Sequence, residues 1–581
     1  MMMIRFIGMG CVLLSGAAFA GEDMIEWRYY AADAFSSKYS PADQINAGNF
    51  DDLEIAWRWR SPDESLENAK TMGLSGFKTT PIMVGGVLYT STSASQVAAI
   101  RPDTGETLWV YDPQSYKRGR PTNTGYQHRG VAYWTDGKGD ERIIIATGGR
   151  QLCAVDAKTG KACESFGANG QVELAAALGL TEAQQRFVGY NAPPAIVKDT
   201  IILGSIIFDG PTRKEMPPGH IQAYDVRTGK LKWIFHTIPQ AGEFGNDTWK
   251  EDSWTYTGNT NVWSMISVDP ELGYVYLPVG TPTNDYYGGH RKGDDLFAES
   301  LLCLNAETGE RVWHFQGVHH GLWDWDFPCA PNLLDIVVNG KKIKAVAQAS
   351  KQANLYVFDR VTGEPIWPIN EVPVPQTNVA GEETSSTQPV PTKPAAFDRQ
   401  NLSEDDLIDF TPELRQQALD IVKQYRYGSM WTPPAVVGQD GLKGTLMVPG
   451  SGGGANWSGA AVDPETGVLY VPSMTFLMIA GLAQPDQSRS NFTYLRSGQW
   501  AGPTIQGLQI VKPPYGRITA IDLNSGEHLW QVTHGDGPRN HPLLKDLNLP
   551  KLGTISIGRF VNSGGPMLTK TLFFASQNVG E

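Results

Sequence analysis

The sequence predicts an all-β protein of the β-propeller class, and three observations support this prediction. First, the chain has 581 residues, which is long for one ordinary core unless repeated units close on themselves. Second, it contains 63 glycines, 38 prolines and 17 tryptophans, a mixture that favours loop-rich β-structure over a helical bundle. Third, one short phrase recurs along the chain, as expected of a repeat architecture.

The recurring phrase is an alternating apolar strand, a turn of the form x-Thr/Ser-Gly, and a second strand that usually ends in tryptophan. Its clear copies are "AIRPDTGETLW" at 99–109, "AVDAKTGKAC" at 154–163, "AYDVRTGKLKW" at 223–233, "CLNAETGERVW" at 303–313, "VFDRVTGEPIW" at 357–367 and "AIDLNSGEHLW" at 520–530, with weaker copies at 267–278 and 461–472. Glycine takes the turn position that needs a positive φ. One copy cannot bury both faces of its strands, so we expect radially stacked four-stranded sheets with tryptophans docked between neighbours.

Long insertions separate some copies, and the largest lies around 370–430. It combines a loop rich in Pro, Thr and Ser with a predicted helical stretch at 403–425, for which Ser403 is the expected N-cap. Such an insertion either decorates the face that carries function or is a plain surface excursion. The sequence leaves both interpretations open.

A signal peptide is predicted at residues 1–20, which leaves 21–581 as the mature propeller domain. Arg5 is followed by an apolar run, and "AFA" before Gly21 fits a small-x-small cleavage pattern. An uncleaved anchor is the alternative, but the apolar run falls short of the roughly 20 residues that span a bilayer. No later segment is apolar enough to do so. We therefore expect export to the periplasm without a stable membrane span.

Charge and cysteine content narrow the class of protein further. The net charge of −13 argues against binding to nucleic acid or to anionic membranes. No Cys-x-x-Cys occurs, so no thioredoxin-like or c-type haem motif is present. Cys153 and Cys163 flank a tight turn and either form a disulfide or remain free thiols.

The repeat and the N-terminal stretch "YSPADQINAGNFDDLEIAWRWR" at 39–60 resemble the quinoprotein dehydrogenases, and the likeness extends to about residue 576. Members of this family are eight-bladed propellers that hold pyrroloquinoline quinone (PQQ) and a calcium-type ion. The sequence looks most similar to the glucose, alcohol and polyol dehydrogenases without a fused cytochrome. The resemblance implies an oxidoreductase that transfers a hydride from a CH–OH donor to PQQ.

The resemblance also implies an ion site and a catalytic base. "GSIIFDG" at 204–210 matches the segment that supplies an acidic ligand, here Asp209, and "GTPTND" at 280–285 offers Thr283 or, alternatively, Asn284. "HHGLWDWD" at 319–326 resembles the catalytic segment of glucose dehydrogenases, which makes Asp324 both general base and metal contact. Oxygen ligands of this kind suit Ca²⁺ or a similar divalent or lanthanide ion, which would act as a Lewis acid.

The implied PQQ site has an aromatic floor at Trp263 and a cation at Lys351, across the quinone from Asp324. The other cofactor contacts implied by the resemblance are Arg129, His128, Asn456 and Trp457. His128 or Tyr126 would cover the second face of the quinone, where methanol dehydrogenases have adjacent cysteines. A planar, tri-anionic quinone needs an aromatic face and cations, so these residue types agree with the resemblance.

Several of these residues also have an ordinary structural interpretation. Trp263 alone suits a docking tryptophan and Lys351 alone a solvated strand edge, but their occurrence together in family order favours function. His319 and His320 are adjacent and point in opposite directions, and no third histidine has zinc-like spacing. We expect one to face the substrate and the other to fill a core role. Asp326 either assists Asp324 or caps a turn.

Besides lacking the adjacent cysteines of methanol dehydrogenases, the sequence departs from the family in two further places. Lys78 stands where many relatives have a glutamate, which either weakens the likeness there or adds a cation for the quinone carboxylates. The chain stops at "LFFASQNVGE", where relatives continue, so the last blade is expected to be incomplete, either in a fragment or in a ring that closes in a shortened way.

A non-enzymatic propeller scaffold of the bacterial envelope is the alternative function. Such a scaffold keeps docking tryptophans but has no reason to keep Asp209, Trp263, Asp324 and Lys351 together. For the enzyme, we expect an alcohol, polyol or aldose substrate, with "HHGLWDWD" favouring a sugar or polyol. Ubiquinone or a cytochrome is the expected electron acceptor.

Overall fold

The structure is a computed structural model that describes residues 25–74, 76–554 and 565–576. The predicted signal peptide at 1–20 lies outside the described residues, as do the last five residues of the chain. In the described part, no helix is both long enough and apolar enough to cross a lipid bilayer.

Six antiparallel sheets of three or four strands follow one another along the described chain, each with its strands paired in sequence order. Their strands are Ile82–Val84, Val87–Ser91, Val97–Ile100 and Thr107–Tyr111 in sheet 1; Ala132–Thr135, Glu141–Ala146, Gln151–Asp156 and Gln171–Glu173 in sheet 2; Ala195–Val197, Thr200–Leu203, Ile221–Asp225 and Leu231–Phe235 in sheet 3; Ser267–Asp269, Tyr274–Pro278, Ser300–Asn305 and Arg311–Gln316 in sheet 4; Asn332–Val338, Lys341–Ala349 and Leu355–Asp359 in sheet 5; and Ala461–Asp463, Val468–Met474, Gly516–Asp522 and Glu527–Thr533 in sheet 6. A seventh sheet joins both ends of the described chain, because Tyr39–Ser40 runs parallel to Met567–Thr569, which pairs with Phe573–Phe574.

Consecutive sheets pack face to face, as the propeller prediction requires. In sheet 2, Ile143 and Ile145 pack against sheet 1, whereas Ile144 and Ala146 pack against sheet 3. This alternation follows from the two-residue period of a strand. Equivalent apolar layers join sheets 3 to 4, 4 to 5 and 5 to 6. The all-β propeller prediction is therefore confirmed.

The N-terminal segment 27–38 crosses the first strands of several sheets. Main-chain N–H groups of Val268, Leu333, Val462 and Leu568 donate to carbonyls of residues 34, 35, 37 and 38 at 2.8–2.9 Å. These donors belong to sheets 4, 5, 6 and 7 in turn. The first strands of sheets 4, 5 and 6 and the strand Met567–Thr569 of sheet 7 therefore converge on one segment, which is the arrangement expected of sheets grouped about an axis.

The tryptophan-docking prediction is confirmed. The indole of Trp233 donates to the carbonyl of Ala306 at 3.1 Å and lies over the turn glycine of the next phrase, Gly309. Trp109 over Gly160 and Trp313 over Gly363 repeat the arrangement, each with its own hydrogen bond to the neighbouring sheet. Glycine is required at this turn position for two reasons: its φ angle is positive, and a Cβ atom would clash with the indole ring.

A pair of glycine substitutions separates these two requirements. We expect Gly309→Ala to destabilise the protein by about 2–5 kcal/mol, because a positive φ (+75°) costs a non-glycine residue about 1–2 kcal/mol and overpacking about 1–3 kcal/mol more. Gly273 is the matched control, since it has φ +71° in a similar turn and a Cβ added there would have no heavy atom within 4 Å. Urea unfolding of both variants measures the difference. Equal losses would contradict tryptophan docking as the source of the extra cost.

The large insertion differs from the prediction in its helical part. Ser403 caps a short 3-10 turn, Glu404–Asp406, and the α-helix begins separately at Pro412–Val422 behind the N-cap Thr411. The predicted continuous helix is therefore wrong. Pro412 explains the break, because proline favours the first turn of a helix but holds the preceding residue out of helical geometry.

The remaining elements are short. The insertion begins with a hairpin, Ile369–Pro373 with Thr387–Pro391. Other strands are Val188–Gly189, Ile206–Ile207, Ala435–Val436, Thr445–Met447, Met478–Ala483, Leu495–Arg496, Thr504–Ile505 and Leu508–Gln509, the other α-helices are Ala69–Met72 and Glu182–Gln185, and the other 3-10 helices are Phe50–Asp52, Pro62–Ser65, Ser115–Arg118, Ala175–Leu178, Asn246–Thr248, Ser253–Thr255 and Gln439–Gly441. Cys153 and Cys163 are free thiols, which decides between the two alternatives left by the sequence.

Candidate active site

The segment His319–Pro328 lies between sheets 4 and 5 and is held by its two tryptophans. Trp323 and Trp325 are fully buried and stacked, with ring centroids 5.3 Å apart, and the edge of Trp431 from the insertion packs against both. The side chain of Asp324, which lies between them in sequence, retains 25% exposure. The aromatic residues therefore anchor the segment and leave its first aspartate accessible.

Lys351 joins the two aspartates of this segment. Its Nζ lies 2.8 Å from Oδ1 of Asp324 and 2.6 Å from Oδ2 of Asp326, and the lysine is 5% exposed. Lys351 stands in the turn between the second and third strands of sheet 5, directly beside the segment His319–Pro328. The predicted pair is thus brought together, in direct contact rather than at a distance.

Asp326 is the more fully engaged carboxylate. Its Oδ1 accepts hydrogen bonds from the main-chain N–H (2.7 Å) and the hydroxyl (3.1 Å) of Thr281, and its Oδ2 accepts one from the Trp263 indole at 3.2 Å. Asp324, in contrast, bonds only the Lys351 ammonium among the contacts described for it, and it shares that ammonium with Asp326. Asp326 therefore organises the site, whereas Asp324 has fewer bonds to the protein. The sequence left the role of Asp326 open, although its i, i+2 spacing from Asp324 was the available signal.

The pKa values of this cluster suit proton transfer. Burial raises the pKa of Asp324 to about 7, with Lys351 opposing the rise and the charge of Asp326 adding to it. Burial disfavours the charged form of Lys351, but the two aspartates outweigh it and raise the pKa of the lysine. A carboxylate that titrates near neutrality is suited to act as a general base.

Glu299 is a further buried acid that the sequence reasoning missed. Its Oε1 lies 3.0 Å from the Thr281 hydroxyl, whose single proton it shares with Asp326, and accepts from the main-chain N–H of Trp325 at 3.3 Å. Burial raises the pKa of Glu299 to about 8, with the charge of Asp326 adding to the effect. Its carboxyl group fills the space where a Cβ at Gly321 would stand, which explains glycine at this position.

The residues expected at the ion site lie around the recess that contains Asp324, Asp326 and Lys351. Burial raises the pKa of Asp209 to about 6, and the neighbouring Asp326 adds to the effect. Burial also raises the pKa of Asp285 well above its usual value, with Asp324 and Asp209 as the next causes. The Thr283 hydroxyl is buried without a partner, whereas the Asn284 amide donates to Tyr494 and accepts from the N–H of Tyr286.

These donors fit a hard cation with a mixed oxygen shell. Mutual repulsion among the carboxylates would be relieved by a positive ion, and the free oxygens of Thr283 and Asn259 are suitable neutral ligands. Within the described residues, no three acidic, histidine or cysteine side chains converge enough to chelate an ion alone. Neutral oxygens would therefore have to complete the shell.

The expected cofactor site is a group of cations around two indoles. The Arg129 guanidinium lies 5.4 Å from the ring centre of Trp263 and 5.1 Å from that of Trp457, and Lys78 lies 6.0 Å from Trp457. Lys351 is 5.9 Å from the Trp263 ring. The Nε atom of Arg129 and the indole N–H of Trp457 are buried without partners.

This arrangement fits a planar anion. No carboxylate in the described chain forms an ion pair with Lys78 or Arg129. Burial lowers the pKa of Lys78 to about 8, and the charge of Arg129 contributes. Cations that repel one another in a recess favour an anionic ligand, and the indole faces offer it stacking surfaces. The departure at Lys78 thus adds a cation to the site.

Two expected cofactor residues prove to be engaged by the protein itself. Both ring nitrogens of His128 are bonded, to the Ser91 hydroxyl and the Ala146 carbonyl, each at 2.9 Å. Burial lowers its pKa to about 4. The Asn456 amide bonds the carbonyl of Gly452 and the N–H of Trp457. His128 has no nitrogen left for a ligand, and Asn456 orients the loop that carries Trp457.

The sequence of this chain is similar to one protein family and to several characterised dehydrogenases. A family model described as PQQ, glucose/ethanol/alcohol dehydrogenase, β-propeller domain, matches residues 27–579. The chain is 30% identical to quinoprotein glucose dehydrogenase A of Acinetobacter calcoaceticus, over 94% of this chain and 70% of that protein. It is 31% identical to the quinate/shikimate dehydrogenase (quinone) of Acinetobacter baylyi, over 95% and 71%.

A solved structure shares the fold. The quinohemoprotein alcohol dehydrogenase of Pseudomonas putida superposes with a TM-score of 0.63 at 23% sequence identity, over 94% of this chain and 68% of that one. At this identity the likeness establishes a common propeller architecture. The local chemistry rests on the residues described above.

Proposed function

Because the chain belongs to the family of PQQ-dependent glucose, ethanol and alcohol dehydrogenases, and is thus a quinoprotein dehydrogenase, we propose that it oxidises an alcohol, a polyol or an aldose sugar with Asp324 as the general base. The observation that carries the proposal is the triad in which Lys351 contacts both Asp324 and Asp326 beside the cation-flanked indole of Trp263. When bound, PQQ supplies the hydride acceptor and a calcium-type ion supplies Lewis acidity.

The residues of this chain have distinct parts in the proposed reaction. Asp324 accepts the proton of the substrate hydroxyl, because it is the less engaged carboxylate and titrates near neutrality. Asp326 fixes Lys351 between the two carboxylates and so keeps its ammonium beside Trp263. A fixed cation there would stabilise negative charge that develops during oxidation.

The binding roles follow from the free donors and acceptors. Trp263 would stack on the quinone, and Arg129 and Lys78 would pair with its carboxylates, with Trp457 adding an indole N–H. Asp209, Asp324 and Thr283 would hold the ion, with Asn259 as a neutral ligand that the sequence did not reveal. Asn284 ranks below Thr283, because its amide is already bonded.

Location, electron acceptor and ring size belong to the same proposal. The predicted signal peptide supports a periplasmic enzyme that passes electrons to ubiquinone or a cytochrome. An eight-bladed ring is supported by Trp57, which docks over Gly105 on sheet 1 and donates to the carbonyl of Pro102 at 2.9 Å. The N-terminal stretch thereby occupies the docking position that a preceding sheet would supply.

The envelope-scaffold alternative is not favoured. A scaffold has no use for a buried lysine between two aspartates, because burying such charges is costly unless they serve a purpose. The family match also spans nearly the whole chain and includes the site segments.

Reconstitution tests the proposed function. We expect the protein, supplied with PQQ and Ca²⁺, to reduce an artificial electron acceptor in the presence of at least one of glucose, glycerol or ethanol. Omission of PQQ or chelation of the ion should abolish the reaction. Failure to bind PQQ, shown by no change in the quinone absorbance on titration, would contradict the proposal.

A further inference from the structure

The hairpin that opens the large insertion contacts the catalytic segment through buried polar groups. Gln388, which is fully buried, accepts from the main-chain N–H of His319 at 2.8 Å and donates to its carbonyl at 2.6 Å. These two hydrogen bonds pair one side chain with both polar backbone groups of a single residue. They fix the start of the segment that carries Asp324.

A second contact comes from the loop of the same hairpin. One oxygen of Glu382 accepts from Nε2 of His320 at 2.8 Å, and the other accepts from the main-chain N–H of Gly288. Gly288 follows the loop 280–285 that is expected to bind the ion, here called the ion loop, so one carboxylate ties the ion loop to the segment that carries Asp324. The side chains of Glu382 and His320 are each 2% exposed.

His320 is hydrogen-bonded at both ring nitrogens, and its surroundings favour the imidazolium form. Its Nδ1 faces the main-chain carbonyl of Gly293 at 2.7 Å, and a carbonyl can only accept. Its Nε2 faces Glu382, whose other oxygen already accepts a main-chain N–H. Nδ1 therefore carries a proton, and Nε2 shares a hydrogen bond with the Glu382 carboxyl group. Burial opposes this charge, but Glu382 and Asp295 raise the pKa of His320 above its ordinary value.

A buried arginine completes the group. Arg291 pairs with Asp295 at 2.5 Å, and both side chains are fully buried. Arg291 also donates to the carbonyl of Asn284 at 3.0 Å and to that of Gly321 at 2.6 Å. It thus bridges the ion loop and the catalytic segment directly. With His320 and Glu382, the group brings together two basic and two acidic side chains.

The segment that this group holds is conformationally strained. His320 and Asp324 have positive φ angles of 48° and 56°, which cost a non-glycine residue about 1–2 kcal/mol each. Such conformations persist only where surrounding contacts determine them. The contacts at His319, His320 and Gly321 supply that constraint immediately before Asp324.

From these contacts we propose that the hairpin 369–391 is a clamp, and that Glu382 and Gln388 are positioning residues that hold the catalytic segment and the ion loop in register for turnover. The proposal rests on the proposed function, in which Asp324 is the base. Of the two interpretations left by the sequence, it favours the one in which the insertion serves the functional face. Neither residue touches the expected substrate, so both act through the backbone that carries Asp324.

Two variants with matched controls test the clamp. We expect Gln388→Ala and Glu382→Gln to lower kcat about tenfold, because a displacement of about 1 Å can cost about 100-fold in rate. KM and PQQ affinity should stay within about twofold. The controls are Gln376→Ala, whose amide bonds only within the hairpin loop, and Glu383→Gln, an exposed neighbour that pairs with Lys292. Both should leave kcat unchanged.

Hydrogen exchange on the cofactor-free protein supplies a readout independent of turnover. The amide of His319 should exchange faster in Gln388→Ala than in wild type and in Gln376→Ala. Faster exchange in a protein that never turns over would show that Gln388 holds the segment but would contradict the proposed function, and with it the part of the clamp in turnover. Unchanged exchange together with unchanged kcat in an active enzyme would overturn the clamp and leave the function intact.

Discussion

Replacing Asp324 with asparagine should reduce kcat by at least about 100-fold while leaving PQQ affinity within about twofold of wild type. A positioned general base contributes roughly 10²–10⁴-fold, and asparagine keeps the shape of the side chain but accepts no proton. Because Asp326 keeps its bonds to Thr281 and Trp263, Lys351 retains a carboxylate partner in the variant. The folded site should therefore survive the substitution. Dye-linked turnover and absorbance titration with PQQ measure the two quantities.

Asp335→Asn is the matched control for this prediction. Asp335 also forms an ion pair, with Arg360 at 2.8 Å, but its side chain is 67% exposed and lies on the first strand of sheet 5 away from the recess. The Asp335→Asn variant should turn over substrate at the wild-type rate. If Asp324→Asn were as active as Asp335→Asn, the assignment of the base would be wrong.

Replacing Lys351 with methionine should cost both activity and stability. The substitution leaves Asp324 and Asp326 without their shared cation, and removal of one partner of a buried ion pair typically costs about 3–5 kcal/mol. We expect kcat to fall by at least about 100-fold, because the ammonium that contacts both aspartates is lost. Thermal unfolding of the cofactor-free protein and dye-linked turnover measure the two effects.

The stability deficit of Lys351→Met should grow as the pH rises. Asp324 has a folded-state pKa of about 7, above its unfolded value of 3.8, so the folded state binds more protons and is destabilised as the carboxyl ionises. Loss of the lysine raises the folded-state pKa further and makes ionisation costlier. The deficit should therefore be smallest near pH 5 and largest above pH 7. A deficit that shrank with rising pH would contradict the ion-pair account, and Lys351→Arg, which keeps the charge, should recover much of the stability.

The repeat made the scaffold predictable from sequence. Alternating strands, a turn glycine and a terminal tryptophan each leave a local signal in the sequence. The docking of Trp233 over Gly309 confirms the packing that this signal predicts. The start of the α-helix is not predictable in the same way, because the residue pattern from 403 to 425 is typical of one continuous helix. Only the backbone geometry imposed before Pro412 divides it.

Part of the site was predictable for a different reason. Asp324 and Lys351 were identified from family order, and the structure brings them into contact. Glu299 was missed because its role depends on the space left by Gly321, and no residue pattern encodes a space. The clamp is not predictable from the sequence, because Gln388 bonds backbone atoms of His319, 69 positions away. A contact to backbone atoms leaves the residue type at position 319 free, so it produces no sequence pattern.

The most direct test of the central claim is a single turnover of the PQQ-loaded protein without any external acceptor. On addition of an oxidisable alcohol or sugar, the absorbance of the bound quinone should change to that of its reduced form in wild type. The Asp324→Asn protein should bind PQQ equally well and show this change at least about 100-fold more slowly. Reduction at the wild-type rate in Asp324→Asn would contradict the claim that Asp324 accepts the substrate proton.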